Sequence, residues 1–189
     1  MAEIYQKEIK YWPAPNSYSR NIPINGPGSF AEDRGDRHHC GVDIYAPSGS
    51  DIVSIEKGIA IDIGIMTDPK IHSYWNTTYF VAIKNEERGI ICKYCEMLDV
   101  VIRVGDKVEA GQLVGHVGTV LNFDNIDEYS PSYIQKVKEN GNSSMLHFEL
   151  YKDGIEVDGY SGGNWFDKEK PENLLDPSEL LRSLVGSGL

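Results

Sequence analysis

Between residues 40 and 118 no apolar run goes far without meeting Gly, Pro or Asn. The runs GVDIYAP, DIVSIEKGIAIDIGIM, TTYFVAIKN, GIICKYCEML and QLVGHVG are rich in Val, Ile, Tyr and Thr, and turn signals recur about every 8–15 residues. Short β-favouring segments at that spacing specify an antiparallel all-β sandwich or barrel. Two stretches, APSGSDIVSIEKGIAIDIG and RVGDKVEAGQLVGHVG, both read as apolar strand, Gly turn, apolar strand, as if one hairpin were used twice.

Residues 143–150, SSMLHFEL, alternate strictly. Leu146, Phe148 and Leu150 face a core, which turns Met145, His147 and Glu149 the other way. A histidine there is either a surface residue on an exposed strand face or part of a site. Residues 123–142 break the β rhythm. Ser130 as N-cap, Pro131 at the first helical position and Gly141 as stop predict a short helix near 131–140, with Tyr133, Ile134 and Val137 as its apolar stripe. Near the end, Asp176, Pro177 and Glu179 in LLDPSELLRSL predict a short C-terminal helix. The resulting division is an N-terminal extension of loops and a strand or two (1–37), one domain (38–175) carrying an insertion (123–142), and a C-terminal helix and tail (176–189).

The 189 residues carry 18 Lys+Arg against 29 Asp+Glu, a formal net charge of −11. That balance argues against nucleic acid or an anionic membrane as main partner, since both need a positive surface. No apolar run reaches the roughly 18 residues of a membrane span. The opening MAEIYQKEIKYWPAPNSYS has no charged-then-apolar leader pattern, so the chain as read is cytoplasmic, and secreted if a leader has been removed. Its oligomeric state is not legible. Three cysteines, Cys40, Cys92 and Cys95, do not make a disulfide framework. Cys92 and Cys95 have C-x-x-C spacing but sit within a predicted strand rather than opening a helix, which favours two small strand residues over a redox or metal pair.

In DRHHCGVDIYAP, residues 39, 41 and 43 share one face of an extended chain. Gly41 leaves that face open between the His39 imidazole and the Asp43 carboxylate. Such a pair is either a surface His beside a surface Asp or two ligands of a metal site; zinc accepts both ligand types.

Read together, separate stretches carry a resemblance. HHCGVDIYAPSGSDIVSIEKGIA resembles the zinc-binding segment of the lysostaphin-like (LytM-type) metallopeptidases. IRVGDKVEAGQLVGHVG resembles their Gly-x-x-Val-x-x-Gly-Gln hairpin, and LHFEL the end of their His-x-His-Phe-Glu-Leu strand. The blocks occur in the family's order over about 39–150. The resemblance implies the duplicated hybrid motif fold, a Zn2+ cofactor, and metal ligands at His39, Asp43 and His147. Three protein ligands with a position left over is the pattern of a catalytic zinc site. It further implies endopeptidase activity on bacterial cell-wall peptides, so a peptide or cell-wall fragment is the expected partner.

The sequence departs from the family at the two non-ligand catalytic histidines, which fall on Glu96 and Met145. A thioether has no proton to give and accepts weakly. Glu96 can serve as a general base, but an ionised carboxylate repels an oxyanion, and losing one stabilising donor costs on the order of 10²–10³ in rate. Weak or lost hydrolysis is therefore the leading expectation. An active zinc endopeptidase using Glu96, with Tyr94, Lys93 or His72 as oxyanion donor, is the alternative. Met145, Tyr94 and His72 are accordingly cleft candidates; His38 and His116 read as surface residues. Trp165 and Phe166 read as a packed loop or a stacking platform, and the insertion as a segment at the edge of the site that covers the cleft, replaces substrate contacts or merely decorates the rim. A third reading, a non-enzymatic binding or carrier module, rests on the Gly-x-x-Val-x-x-Gly-Gln hairpin with Lys107 as its lysine.

Overall fold

A computed structural model of the chain describes residues 11–153, 163–166 and 169–185. Part of the expected N-terminal extension (1–10) and the tail after Val185 lie outside them. The strands are β1 (His38–His39), β2 (Val42–Tyr45), β3 (Asp51–Val53), β4 (Gly58–Thr67), β5 (Thr78–Asn85), β6 (Ile90–Val100), β7 (Lys107–Val108) and β8 (Leu113–Thr119). Helix α1 (Ser132–Asn140) follows, then β9 (Ser144–Lys152), β10 (Asn164–Trp165), β11 (Leu174–Leu175) and α2 (Ser178–Val185). The fold is all-β with two short helices, as the turn spacing predicts. No helix among the described residues is long and apolar enough to cross a membrane.

One curled antiparallel sheet holds nearly every strand, in the order β11–β9–β8–β6–β5–β4–β7, with β2 beside β9 and β3 beside β8. The two similar stretches are not two hairpins. β3 pairs with β8 (Ile52 opposite Gly115) and β4 with β7 (Ile59 opposite Lys107), so the first strand of each copy takes the second strand of the other as its partner. The duplication is thus an interlocked one. β9 ties the sheet together by pairing with β2, β6, β8 and β11 along its length.

The alternation in β9 sorts its faces. Leu146, Phe148 and Leu150 join Val42, Ile44 and Tyr94 in the main core, where α2 adds Leu181 and Leu184. Each such buried side chain contributes about 1.5–3 kcal/mol. The opposite face is buried too, with His147 only 2% exposed. An exposed strand face is therefore not where this histidine stands.

Two local expectations change. Residues 11–37 form no strand; their one ladder contact is the isolated bridge of Asp33 with His38, and Trp12 and Ala14 are spent on the core. Ser130 does not cap α1, because its hydroxyl is engaged with Asp127, and the helix starts after Pro131. The C-terminal signals hold. Gly141 ends α1 at φ 72, and the Asp176 carboxylate accepts from the Ser178 N–H at 2.8 Å.

Candidate metal centre

β2 and β9 run antiparallel with Asp43 directly opposite His147, so both side chains leave the sheet on one face. His39 comes from β1, which pairs with β10 rather than with the main sheet. The chain turns between them at Cys40–Gly41, which brings the His39 ring back over Asp43. The outcome is a tight group. His39 Nε2 lies 2.9 Å from His147 Nδ1 and 3.1 Å from Asp43 Oδ1, and His147 Nδ1 lies 2.8 Å from that same oxygen.

The far nitrogen of each ring is held by the protein. His39 Nδ1 donates to the Ser29 carbonyl at 2.8 Å, and His147 Nε2 to Glu149 Oε1 at 2.9 Å. Those bonds leave His39 Nε2 and His147 Nδ1 as the nitrogens facing Asp43. Among the described residues, His39, Asp43 and His147 form the one group of three His, Cys, Asp or Glu whose donor atoms all lie within 4.8 Å of one another. Two imidazoles and a carboxylate, each ring oriented from behind, fit a zinc-type cation. All three are nearly closed off, the side chains being 1%, 8% and 2% exposed.

Two glycines make room for the His147 ring. A Cβ on Gly41 would meet the Phe148 carbonyl oxygen at 2.4 Å and His147 Cε1 at 2.9 Å; one on Gly163 would meet His147 Nε2 at 2.8 Å. Gly41 therefore does not leave a gap between His39 and Asp43, because the imidazole from β9 fills it. Gly163, at φ 74, closes the other side, and its carbonyl accepts from the Cys40 N–H. Nothing near position 163 in sequence pointed to this role.

Behind His147 stands a buried ionic group. Glu149 Oε2 accepts from Tyr151 Oη at 2.5 Å and from Lys93 Nζ at 3.0 Å. Burial raises the Glu149 carboxyl, but Lys93 and His147 outweigh it and hold it well below the usual range. Burial likewise pulls down His147, yet its bonds to Asp43 and Glu149 lift it to about 10. Burial raises the Asp43 carboxyl, and the two imidazoles more than reverse that. On the outer side Arg34 Nη2 lies 3.7 Å from Asp43 Oδ2, while the guanidinium also bonds Glu32 and, at 3.0 Å, Asn164 Oδ1. Arg34 and Asn164, 130 residues apart, form a strap across the group that local patterning does not reveal.

The cleft candidates separate. Glu96 sits at a bulge in β6 with φ 61, a left-handed conformation that costs a non-glycine residue about 1–3 kcal/mol. Its Oε2 is buried and has no hydrogen-bond partner among the described residues. Burial first, then the Asp43 charge, push its carboxyl up to about 8. Glu96 lies outside the group of converging donor atoms.

Tyr94, by contrast, points into the main core. It is fully buried, edge-on to Phe148, and its hydroxyl accepts from the Ile55 N–H at 2.9 Å. It is not a cleft residue, because the pairing of β6 with β9 sets it opposite Phe148 on the core face. Lys93 is held by Glu149. Met145 packs with Tyr74, Leu121, Ile126 and Ile134 in a second apolar cluster, to which the insertion contributes Ile126 and Ile134. His72 is exposed, stacks on Tyr74 at 5.2 Å and meets the edge of Trp75 at 4.5 Å, at the rim of that cluster.

His116 bonds Asp99 on the surface, and His38 lies against Trp165. Trp165 is buried beside Cys40, Tyr151 and Leu174, a packed position rather than a platform. All three cysteines are buried and free. Tyr45 joins Gly163, Arg34 and Asn164 among the residues that sequence patterning does not mark. Two after Asp43 on the same face, it is raised to about 12 by burial and by the charges of Asp43 and Glu96.

The geometry defines an antiparallel β domain with an enclosed His–Asp–His group suited to one divalent cation. The model of peptidase family M23 matches residues 37–159, and the chain belongs to that family. Solved structures share the fold. The catalytic domain of the antimicrobial peptidase lysostaphin from Staphylococcus simulans matches with TM-score 0.52 at 19% identity, over 83% of this chain and 90% of that one. CbpA from L. salivarius REN matches with TM-score 0.55 at 16% identity, over 96% and 100%. LytU matches with TM-score 0.51 at 15% identity, over 100% and 93%. At these identities the likeness is one of fold. No curated protein matches the sequence.

Proposed function

We propose that this M23 domain binds zinc through His39, Asp43 and His147 and that its hydrolysis of cell-wall peptides is weak or lost. The observation that carries the second half is Met145. Where the family resemblance calls for an imidazole, this chain has a thioether seated against Ile134 and Tyr74, 9% exposed. Ile126 and Ile134 of the insertion share that apolar cluster with it. Bound zinc would act as a Lewis acid and lower the pKa of coordinated water. The protein's part is to orient two imidazoles and a carboxylate and to hold Arg34 over the outer oxygen of Asp43. The peptide or cell-wall fragment named by the family's chemistry would then be bound rather than cut.

The alternative, an active endopeptidase with Glu96 as base, draws on the Glu96 Oε2, which has no partner among the described residues, and on its carboxyl poised at about 8. The carrier reading loses its lysine. Lys107 lies within β7 opposite Ile59 rather than at a turn tip. Metal analysis of protein purified without added zinc, followed by prolonged incubation of the zinc-loaded form with peptidoglycan peptides, tests the proposal. One zinc per chain with no cleavage is expected. Turnover abolished by Glu96→Ala and restored by zinc after chelation would establish the alternative instead.

A further inference from the structure

We propose that Lys93 is a positioning residue of the metal centre: through Glu149 it fixes the His147 ring with Nε2–H turned into the protein and Nδ1 turned towards the cation. The inference rests on the zinc-binding reading above. On β6 and β9, Lys93 is opposite Glu149 and Cys95 is opposite His147. Positions two apart on a strand share a face, so register alone sets the ammonium beside the carboxylate and the carboxylate beside the imidazole.

The two oxygens of Glu149 are divided between different partners. Lys93 Nζ at 3.0 Å and Tyr151 Oη at 2.5 Å both occupy Oε2, which leaves Oε1 for His147 Nε2 at 2.9 Å. With one oxygen doubly held, the carboxylate plane cannot rotate away from the ring. Glu149 is 0% exposed, and a carboxylate so placed is tolerable only beside a counter-charge. Lys93 is that counter-charge. It is fixed in turn by lying 4.8 Å over the Phe80 ring. A line of contacts thus crosses β5, β6 and β9 from Phe80 through Lys93 and Glu149 to the imidazole. Lys93 never touches the cation; it acts through a partner that sets which nitrogen of His147 carries the proton.

The test compares zinc-loaded wild type with Lys93→Met and Glu149→Gln. Zinc affinity is read by competition with a chromophoric chelator, and the Nε2–H proton of His147 by 15N-edited NMR. Lys93→Met is expected to weaken zinc about 10–100-fold, the range for partners of ligating side chains, at unchanged one-to-one stoichiometry. The Nε2–H proton, protected in the wild type, is expected to exchange rapidly in the variant. A merely structural lysine would lower Tm and leave affinity and proton protection alone; that result overturns the inference. Should Lys93→Met not fold, Glu149→Gln decides, since wild-type affinity and protection there break the relay equally. A wild type that takes up no zinc overturns both this inference and the reading beneath it, whereas zinc-binding variants with wild-type affinity overturn the inference alone.

Discussion

His39 Nε2 and His147 Nδ1 face each other at 2.9 Å with one oxygen of Asp43 completing a triangle at 3.1 and 2.8 Å, and both rings are gripped from behind, by the Ser29 carbonyl and by Glu149. Two imidazole lone pairs do not approach so closely unless a proton or a cation stands between them. Replacing any one of His39, Asp43 or His147 by Ala should abolish stoichiometric metal. The loss in affinity should exceed the about 10–100-fold typical of outer partners. Elemental analysis after dialysis checks it, and retention of one metal per chain in all three variants would move the site elsewhere.

The same proximity makes the metal-free protein sensitive to alkali. His147, lifted to about 10 from 6.5, contributes stability that is complete below 6.5 and lost as pH climbs through about 10. Glu96, whose carboxyl is raised to about 8 from 4.5, acts in the same sense, because ionising it in place is unfavourable. Asp43 and Glu149 are lowered, so their contribution is present above the ordinary carboxylate range and fades only in acid. The metal-free chain should therefore be most stable near pH 4.5, where the loss through Glu96 begins, and lose Tm steadily from there towards pH 10. Zinc replaces the His147 proton, so the gap in Tm between loaded and metal-free protein should widen from pH 6 to pH 9. Calorimetry at several pH values reads that gap, and a constant gap would contradict the assignment.

Gly163 and Gly105 separate strain from collision. Both have positive φ, 74 and 92, but a Cβ at 105 meets nothing within 4 Å while one at 163 runs into His147 Nε2. Gly105→Ala should cost about 1–3 kcal/mol of stability and leave metal binding unchanged. Gly163→Ala should cost at least as much and also weaken zinc, because the ring must give up its bond to Glu149. Equal zinc affinity in the two variants would show that position 163 does not shape the centre.

Some of this centre was legible and some was not, for a physical reason. His39, Gly41 and Asp43 lie within five residues, and His147 is marked by the alternation of its own strand. Lys93 with Glu149, and Arg34 with Asn164, become neighbours only once the register of distant strands is set, and a short-range pattern carries no such register. Tyr94 is lost as an oxyanion donor for the same reason: the register of β6 on β9 sets it opposite Phe148 in the core, which no short-range pattern shows. The interlocking of the two similar stretches was equally hidden, since each looks like a self-contained hairpin.

Restoring the two family imidazoles is the most demanding test of lost hydrolysis. Met145→His puts a polar ring against Ile134, Tyr74 and Leu121, where an uncompensated polar group costs about 1–3 kcal/mol. For a chain of this length that corresponds to a Tm lower by about 2–12 °C. Glu96→His removes a carboxylate with no partner for its buried oxygen, at a backbone position that histidine adopts more readily than most residues. The double variant should thus be less stable than the wild type, mainly through position 145, while still holding zinc. If the missing donors are what limits the centre, it should cleave peptidoglycan peptides faster than the wild type does. Bound zinc with no gain in cleavage would instead place the block in the insertion and in the Arg34–Asn164 strap, and shortening 123–142 in the double variant would then be the change that restores turnover.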